Sequence, residues 1–394
     1  MSRYPSFARP ASSRPRRRAL AAVLLGLLLA VAAGCGGGDD GAARWESGQG
    51  GGSPAPTRTG AGAPGPTGAP AGRTISLSAT GDIIMGDAPD RLPAGGGKGF
   101  FAPVRAALAA DVVMGNLEEP LTDDTGTGKC GAGSDDCHQF RAPPSYAQHL
   151  VDAGFTVLNQ ANNHGNDFGP TGYRNTSATL DQHGLKHTGA PGEITVVTAG
   201  GVKVAVLGFS PYPWNNSSLN LGAAADLVRR ADEAADLVVV QVHMGAEGAD
   251  KIHVRPGTEM YLGENRGDPI AFAHAVIDAG ADLVVGHSPH VLRGMEFYRD
   301  RLIAYSLGNF AGGSGTLSRN GRLGLAGILK VSLRPDGAWA GGTFTSTNLN
   351  SAGRPVPDAA GRGLALVRQL SSGDFPSSGA RLDARGRISP VAAG

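Results

Sequence analysis

An excess of charge of either sign is missing from this sequence. Its 394 residues carry 35 Lys and Arg against 34 Asp and Glu, a formal net charge of +1. No overall field therefore attracts nucleic acid or an acidic partner, and we expect no nucleic-acid binding. The hydrophobic content of 41% is ample for a large buried core, so the sequence predicts a globular protein.

The N-terminus lacks an apolar run long enough to cross a bilayer. Residues 19–33 are apolar, but about 15 residues make a helix of roughly 22 Å, against a hydrocarbon core of about 30 Å. Arg14 and the arginines at 16–18 precede this run, and Gly34 and Cys35 follow it. This three-part layout predicts an export signal.

The end of this signal predicts a lipid anchor. Residues 31–35, Val-Ala-Ala-Gly-Cys, resemble a bacterial lipobox, and a diacylated Cys35 would tether the mature protein to the outer face of the cell membrane. We therefore expect residues 1–35 to be a lipoprotein signal peptide. A cleaved and secreted soluble protein is the alternative, and the arginines leave both general secretory and twin-arginine export open.

Cysteine is scarce. Besides Cys35 the chain contains only Cys130 and Cys137, with six residues between them in a stretch rich in Gly, Ser and Asp. In an oxidising compartment this pair predicts a disulfide rather than a zinc site. So short a loop adds roughly 2.5 kcal/mol in the chain-entropy model, and we expect a bond that clamps a loop and is dispensable for the fold.

Composition divides the rest of the chain into three segments. Residues 36–73 are Gly, Pro, Ala, Thr and Ser with almost no large apolar side chain, which predicts a flexible, disordered linker. Residues 74–351 alternate short apolar runs with segments of helical period, which predicts a single large α/β domain. Residues 352–394 are again rich in Gly, Ala, Arg and Pro, and we expect a loosely attached tail without chemistry.

The periodicities predict individual elements within the large domain. Strands are expected at 75–80, 111–117, 155–160, 202–209, 236–243, 281–286 and 302–307. Helices are expected at 100–110, 145–153, 171–183, 223–235 and 269–279.

Polar clusters follow five of these strands, each at the point where the strand ends. They are Gly81-Asp82, Asn116-Leu117-Glu118, Asn162-Asn163-His164, His243, and Gly286-His287-Ser288-Pro289-His290. Each cluster alone is more often a turn, a cap or a satisfied core group. Open α/β sheets place their sites at this edge, and imidazole, carboxylate and amide oxygen together are the ligands that a borderline divalent metal prefers. The set therefore predicts a metal site.

The same motifs resemble the CapA (poly-γ-glutamate synthesis) branch of the calcineurin-like metallophosphoesterases. Two further motifs strengthen the resemblance, Gly81-Asp82-Ile83-Ile84-Met85-Gly86 and Tyr305-Ser306-Leu307-Gly308-Asn309-Phe310. The resemblance covers residues 74–351. It implies an α/β/β/α sandwich with one or two divalent ions, Mn, Zn, Fe or Mg. Carried over position by position, it makes His164 the general acid. The metal ligands that it implies are Asp82, Glu118, Asn163, His243, His287 and His290.

Two departures from the superfamily pattern limit this expectation. Ile84 stands where the first motif of an ordinary metallophosphoesterase has a histidine, which puts a stable dinuclear centre in doubt. His243-Met244-Gly245 replaces the family's His-Trp-Gly, so a stacking surface is missing. Glu247 keeps an acidic position of the family and either binds substrate or faces solvent, and Asn116 is a further candidate for the site.

The resemblance leaves two functions open. The first is metal-dependent hydrolysis of a phosphoester or related anionic bond during poly-γ-glutamate or capsule synthesis. The second is a non-catalytic, metal-dependent binding or assembly factor for an anionic surface polymer. Both functions imply an anionic polymer or phosphoester as ligand, a membrane anchor, and other capsule synthesis proteins as partners. The missing histidine at Ile84 favours the second, and the retained His164 favours the first.

Overall fold

The structure is a computed structural model that describes residues 73–126, 128–130 and 137–391. The predicted signal peptide with Cys35, and the predicted linker up to residue 72, lie outside these residues. Among the helices of the described part, none has both the length and the apolar character needed to span a bilayer.

Two large β-sheets carry the described chain. Its strands are β1 (Ile75–Ile84), β2 (Val112–Leu117), β3 (Val157–Asn159), β4 (Lys186–Thr188), β5 (Thr195–Ala199), β6 (Val202–Ser210), β7 (Asn216–Ser217), β8 (Leu237–His243), β9 (Met260–Tyr261), β10 (Glu264–Asn265), β11 (Leu283–His287), β12 (Met295–Tyr298), β13 (Arg301–Ala304), β14 (Asn309–Gly312), β15 (Leu325–Leu333), β16 (Trp339–Leu349), β17 (Pro355–Pro357), β18 (Arg381–Leu382) and β19 (Arg387–Ser389). Its α-helices are α1 (Arg105–Leu108), α2 (Ala147–Ala153), α3 (Gly169–Gln182), α4 (Leu221–Asp232), α5 (Pro269–Asp278) and α6 (Arg362–Asp374).

The first sheet has the strand order β18-β19-β16-β15-β1-β2-β3-β4, with β14 also on β1 and β17 on β16. The second has the order β12-β13-β11-β8-β6-β5, with β7 on β6. Strands β9 and β10 form a separate hairpin. Strands β1, β2 and β3 run parallel in the first sheet. Strands β6, β8 and β11 run parallel in the second.

The sheets pack face to face, and helices cover their outer faces. Strand β8 illustrates the arrangement, because Leu237 and Val239 belong to the core shared by both sheets while Val238 and Val240 pack under α4 and α5. Successive residues of a strand point to opposite faces, so a strand buried on both faces reads as the unbroken apolar run seen here. The outer face of the first sheet is covered by α1, α2 and α3. The predicted α/β/β/α sandwich is confirmed.

Helix ends follow from local sequence. Asp268 caps α5 by accepting hydrogen bonds from the backbone N–H groups of Ile270 and Ala271, and Pro269 occupies the first turn, where no N–H partner is needed. Helix α2 ends at Gly154, whose φ of 93° is a left-handed conformation that favours glycine. The Gly154 cap lets the chain turn from α2 into β3 within a few residues.

The prediction of a loosely attached tail at residues 352–394 is wrong for its described part. Strands β18 and β19 extend the first sheet from β16, and α6 buries Val367 in the shared core. Leu370 of the same helix packs with Ile252 and Val291. The segment's average composition is polar and glycine-rich, but its apolar residues recur at helical spacing and therefore bury one face.

Leu370→Ala should lower the free energy of unfolding by about 2 to 5 kcal/mol, the usual loss when a buried leucine leaves a cavity. Leu370 is 1% exposed, whereas its neighbour Gln369 is exposed. Urea unfolding of Leu370→Ala beside the control Gln369→Ala measures the difference. Equal stability of the two variants would restore the loose-tail interpretation.

Candidate metal centre

The C-terminal ends of the parallel strands bring the predicted polar clusters together. In the first sheet Asp82, Asn116 and Asn159 are in register on β1, β2 and β3. In the second sheet His243 and His287 are in register at the ends of β8 and β11. Because both sheets present these ends at the same side of the shared core, side chains from separate parts of the chain meet there.

The close approaches join acidic and imidazole groups. His290 Nδ1 lies 3.2 Å from Asp82 Oδ2, and His290 Nε2 lies 3.7 Å from Glu118 Oε1. His287 Nδ1 is 3.7 Å from Asp82 Oδ1, and His243 Nε2 is 3.8 Å from Glu118 Oε1. Asp82, Glu118 and His290 can each offer a ligand atom with all three atoms within 4.8 Å of one another. One ion can therefore contact all three side chains.

Several of these buried polar atoms lack a hydrogen-bond partner within the described part of the chain. They are both carboxylate oxygens of Glu118, Asn163 Oδ1, His243 Nε2 and both ring nitrogens of His287. Buried polar atoms are almost always paired, since an unpaired one costs about 1 to 3 kcal/mol. The unpaired atoms are carboxylate, imidazole and amide atoms of ligand type. Their chemistry fits a divalent cation.

Burial and neighbouring charge set the protonation of the cluster. Burial, and then the Asp82 charge, hold the pKa of Glu118 well above its ordinary value. Burial lowers the pKa of His287 to about 4 and that of His243 well below its usual range. For His290, burial is outweighed by Glu118, Asp82 and Glu247, which raise its pKa well above the ordinary value. The acidic neighbours thus favour the protonated form of His290, and burial favours the neutral form of His243 and His287, which is the form that metals bind.

Backbone constraints aim these side chains. A Cβ at Gly81 would lie 1.8 Å from the Gly308 carbonyl oxygen, so only glycine allows Asp82 N–H to donate to that oxygen at 2.9 Å. In the turn after β11, His290 has a φ of 59°, a left-handed conformation that a non-glycine residue adopts at a cost of about 1 to 2 kcal/mol. This turn directs the imidazole back over β1, where its Nδ1 also lies 2.8 Å from Asn309 Oδ1.

Asn116 orients the cluster rather than offering an oxygen to it. Its Nδ2 donates to Asp82 Oδ1 at 2.8 Å and lies 3.3 Å from His243 Nδ1. Its Oδ1 accepts from the amides of Asn159 and Asn162, both at 3.0 Å. The candidate site residue Asn116 therefore holds Asp82 and His243 through its amide, the arrangement that residues behind metal ligands commonly have. Sequence reasoning missed Asn159, and its place near the end of the predicted strand at 155–160 was the available signal.

His164 lies in the loop that carries Asn163, and its ring nitrogen Nδ1 is 2.7 Å from Asp167 Oδ2. Burial lowers its pKa, and the Asp167 charge opposes that change. Lys129 Nζ lies 2.6 Å from Asp167 Oδ1. Neither Asp167 nor Lys129 was predicted from the sequence. The spacing of three residues from His164 to Asp167 was a signal for the first, whereas Lys129 comes from a distant loop.

A cleft of about 380 Å³ opens onto the cluster, and it is lined by His164, Glu247, His290, Arg91, His138 and Tyr261 among others. Glu247 does not simply face solvent, because its Oε1 accepts from Arg266 Nη1 at 2.7 Å and its Oε2 lies 3.7 Å from His290 Nε2. Arg266 is buried against the rings of Tyr212 and Tyr261. Arg91 and His138 bring basic groups to the cleft, which suits an anionic ligand.

Ile84 also lines this cleft and is fully buried. An aliphatic side chain offers no ligand atom, so the position of the superfamily histidine supplies only apolar contact. Met244 stands where the family motif His-Trp-Gly has its tryptophan, and it is likewise buried among the apolar residues under α5.

Residues 76–314 match the family model described as "Bacterial capsule synthesis protein PGA_cap". The chain is 33% identical over 261 residues to "Capsule biosynthesis protein CapA" of Bacillus anthracis, covering 60% of this chain and 59% of that protein. It is 31% identical over 255 residues to "PGA biosynthesis protein CapA" of Bacillus subtilis (strain 168), covering 60% and 63%. The chain therefore spans less than two thirds of the length of these relatives.

Solved structures with a similar fold include two nucleotidases. The 5'-nucleotidase precursor from Thermus thermophilus gives a TM-score of 0.41 at 15% identity, over 75% of this chain and 59% of that one. A putative 5'-nucleotidase from Staphylococcus aureus gives 0.39 at 13% identity, over 76% and 58%.

Proposed function

Because the chain belongs to the bacterial capsule synthesis protein family PGA_cap, we propose that it hydrolyses a phosphoester or a related anionic bond, with a divalent metal, during capsule or poly-γ-glutamate synthesis. The observation that carries this proposal is the convergence on Asp82 of buried ligand atoms that make no hydrogen bond, from Glu118, His243 and His287. An apolar or hydrogen-bonded core would not leave so many polar atoms unpaired in one place.

The proposed ligands are Asp82, Glu118, Asn163, His243, His287 and His290. When bound, a divalent ion supplies Lewis-acid polarisation of a phosphoryl oxygen. Asn116 keeps Asp82 in position through its amide. The candidate ions are Mn, Zn, Fe and Mg, with one or two ions bound per chain.

His164 is the proposed proton donor. His164 Nδ1 lies 2.7 Å from Asp167 Oδ2, and we assign the proton to Nδ1 because a carboxylate accepts hydrogen bonds. The second ring nitrogen, Nε2, is then the atom that can hold a proton for a leaving oxygen and release it. His164 and His290 line the same cleft, so a substrate in that cleft can contact both.

The second candidate is a binding or assembly factor that holds an anionic surface polymer through the metal without turnover. The observation in its favour is Ile84, which is buried at the cleft and supplies no ligand. A site with one metal ligand fewer can hold one metal ion and bind an anion. It would lack the second metal ion that a two-metal hydrolysis needs.

We further propose an exported protein attached to the outer face of the cell membrane through a lipidated Cys35, with secretion as the alternative. Other capsule synthesis proteins are the proposed partners. Residue 35 lies outside the described residues, and this part of the proposal rests on the sequence.

Hydrolysis assays separate the two candidates. We expect the full chain, purified in detergent and stripped with EDTA, to regain phosphoester hydrolysis on addition of Mn²⁺ or another candidate ion. Poly-γ-glutamate binding that requires metal, together with no turnover of any phosphoester in the panel, would instead select the binding factor. If the protein showed no metal-dependent turnover and no metal-dependent binding, both candidate functions would be contradicted.

A further inference from the structure

Residues on both sides of the Cys130–Cys137 disulfide contact the His164–Asp167 pair. Cys130 and Cys137 are bonded, and the residues just outside this bond, Lys129 on one side and Phe140 on the other, both contact the pair. The sequence predicted this disulfide only as a loop clamp, and the function proposed above makes no use of it.

Lys129 holds Asp167 through two contacts. Its ammonium group lies 2.6 Å from Asp167 Oδ1, and its backbone N–H donates to the Asp167 carbonyl oxygen at 2.8 Å. The Asp167 side chain is fully buried, whereas that of Lys129 is partly exposed. A buried charge is costly unless it is paired, and Lys129 supplies the opposite charge.

Phe140 holds the other side of the pair. Its backbone N–H donates to Asp167 Oδ2 at 2.8 Å, the same oxygen that lies 2.7 Å from His164 Nδ1. Its ring centre lies 4.7 Å from that of the His164 imidazole. Gln139, between Phe140 and the disulfide, accepts from the Cys130 backbone N–H at 3.0 Å. The two flanks of the loop are thus fastened to each other and to the pair.

From these contacts we propose that Lys129 and the Cys130–Cys137 disulfide are positioning elements that keep His164 in its proton-donating orientation, so that the activity depends on the oxidised disulfide. This inference rests on the function proposed above. The bond keeps Lys129 and Phe140 together on opposite sides of Asp167. When it is reduced, the two flanks can separate, and Asp167 loses its cation, the Phe140 N–H or both.

Leaving-group dependence distinguishes this role from a purely structural one. A proton donor matters for a basic leaving oxygen and little for p-nitrophenolate, which leaves as an anion. In the full chain, Cys130→Ala/Cys137→Ala should lower hydrolysis of phenyl or alkyl phosphates by about tenfold or more, with less than about a twofold change for p-nitrophenyl phosphate. Metal content and the circular dichroism spectrum should stay as in the wild type. A phosphine reductant should reproduce the effect in the wild type and change nothing in the double variant.

Lys129 provides a second, independent variant pair. Lys129→Gln should show the same selective loss, and Lys129→Arg should recover most of it because the charge returns. Full activity on alkyl phosphates in the reduced wild type and in Lys129→Gln would overturn the proposal. So would an equal loss on both substrate classes, which indicates general damage to the site.

A spectroscopic measurement keeps the test valid if the protein hydrolyses nothing. In ¹⁵N-histidine NMR, with the signal assigned by its loss in His164→Gln, oxidised protein should show His164 fixed with its proton on Nδ1. Reduction or Lys129→Gln should give exchange between ring forms. An unchanged His164 signal after both changes would contradict the positioning role, whereas a changed signal in an inactive protein contradicts only the proposed hydrolysis.

Discussion

Glu118→Gln should weaken divalent-metal binding by more than about a hundredfold, since changes to residues that merely support a ligand already cost about 10 to 100-fold in affinity. Glu118 is fully buried, and neither of its carboxylate oxygens makes a hydrogen bond among the described residues. Its Oε1 faces His243 and His290 at 3.8 and 3.7 Å. The amide has nearly the same volume but carries no negative charge, so it removes the attraction for a cation while keeping the packing.

The same substitution should leave the metal-free protein folded and at least as stable as the wild type. A buried carboxylate beside Asp82 is costly when no cation balances it, and the neutral amide avoids that cost. Isothermal titration with Mn²⁺ or Zn²⁺ and thermal melts with and without EDTA measure both effects. Glu233→Gln, the same change at an exposed residue after α4, is the control. Wild-type metal affinity in Glu118→Gln would remove Glu118 from the centre.

His164→Gln should keep the bound metal and lose hydrolysis of substrates with basic leaving groups by about 10² to 10⁴-fold, the usual contribution of a positioned general acid. His164 contacts Asp167 rather than Asp82 or Glu118, and it lines the cleft beside His290. Its removal therefore affects proton transfer more than metal binding.

Metal analysis and steady-state kinetics on alkyl phosphates test this expectation together. His253→Gln changes an exposed histidine that contacts Asp374 outside the cleft, and this variant should behave as the wild type. If His164→Gln lost its metal, His164 would be a ligand, and if it kept full activity on alkyl phosphates, the proton would come from another group.

Much of the sandwich was predictable because its central strands are buried on both faces. The apolar run at 236–243 predicted β8, and the structure places a strand at Leu237–His243. The rule that sites lie at the C-terminal ends of parallel strands grouped Asp82, Glu118 and His287 before any contact was known. That rule works because strand ends in register converge whatever their separation in sequence.

Edge elements were less predictable. The helix expected at 100–110 is reduced to Arg105–Leu108 after a 3-10 turn at Ala102–Val104, because Pro103 lacks the N–H that a helix interior requires. Strand β16 was not predicted, since its threonines and glycines are mostly half-exposed and give weak alternation. The described part of the tail was misjudged because average composition concealed the buried face of α6.

Contacts between loops were beyond sequence reasoning. The neighbours of His164 include Lys129, 35 residues earlier in the chain, and Arg266 reaches Glu247 across 19 residues. Such pairs depend on where two loops end in space, and neither propensity nor period encodes that position. The oxygen of Asn116 likewise accepts hydrogen bonds from the amides of Asn159 at the end of β3 and Asn162 in the loop that follows, so this candidate site residue supports its neighbours.

All of the proposed chemistry depends on a divalent metal shared by the buried carboxylates of Asp82 and Glu118 and the partly buried imidazole of His290. The metal content of the purified full chain, after equilibration with Mn²⁺, Zn²⁺, Fe²⁺ or Mg²⁺ and removal of free ion, tests this arrangement without any assumption about substrate. We expect at least one tightly held ion per chain for one of these metals, and its loss in both Glu118→Gln and His290→Ala. A wild-type protein that retains none of the four ions would contradict the metal centre and the proposed hydrolysis with it.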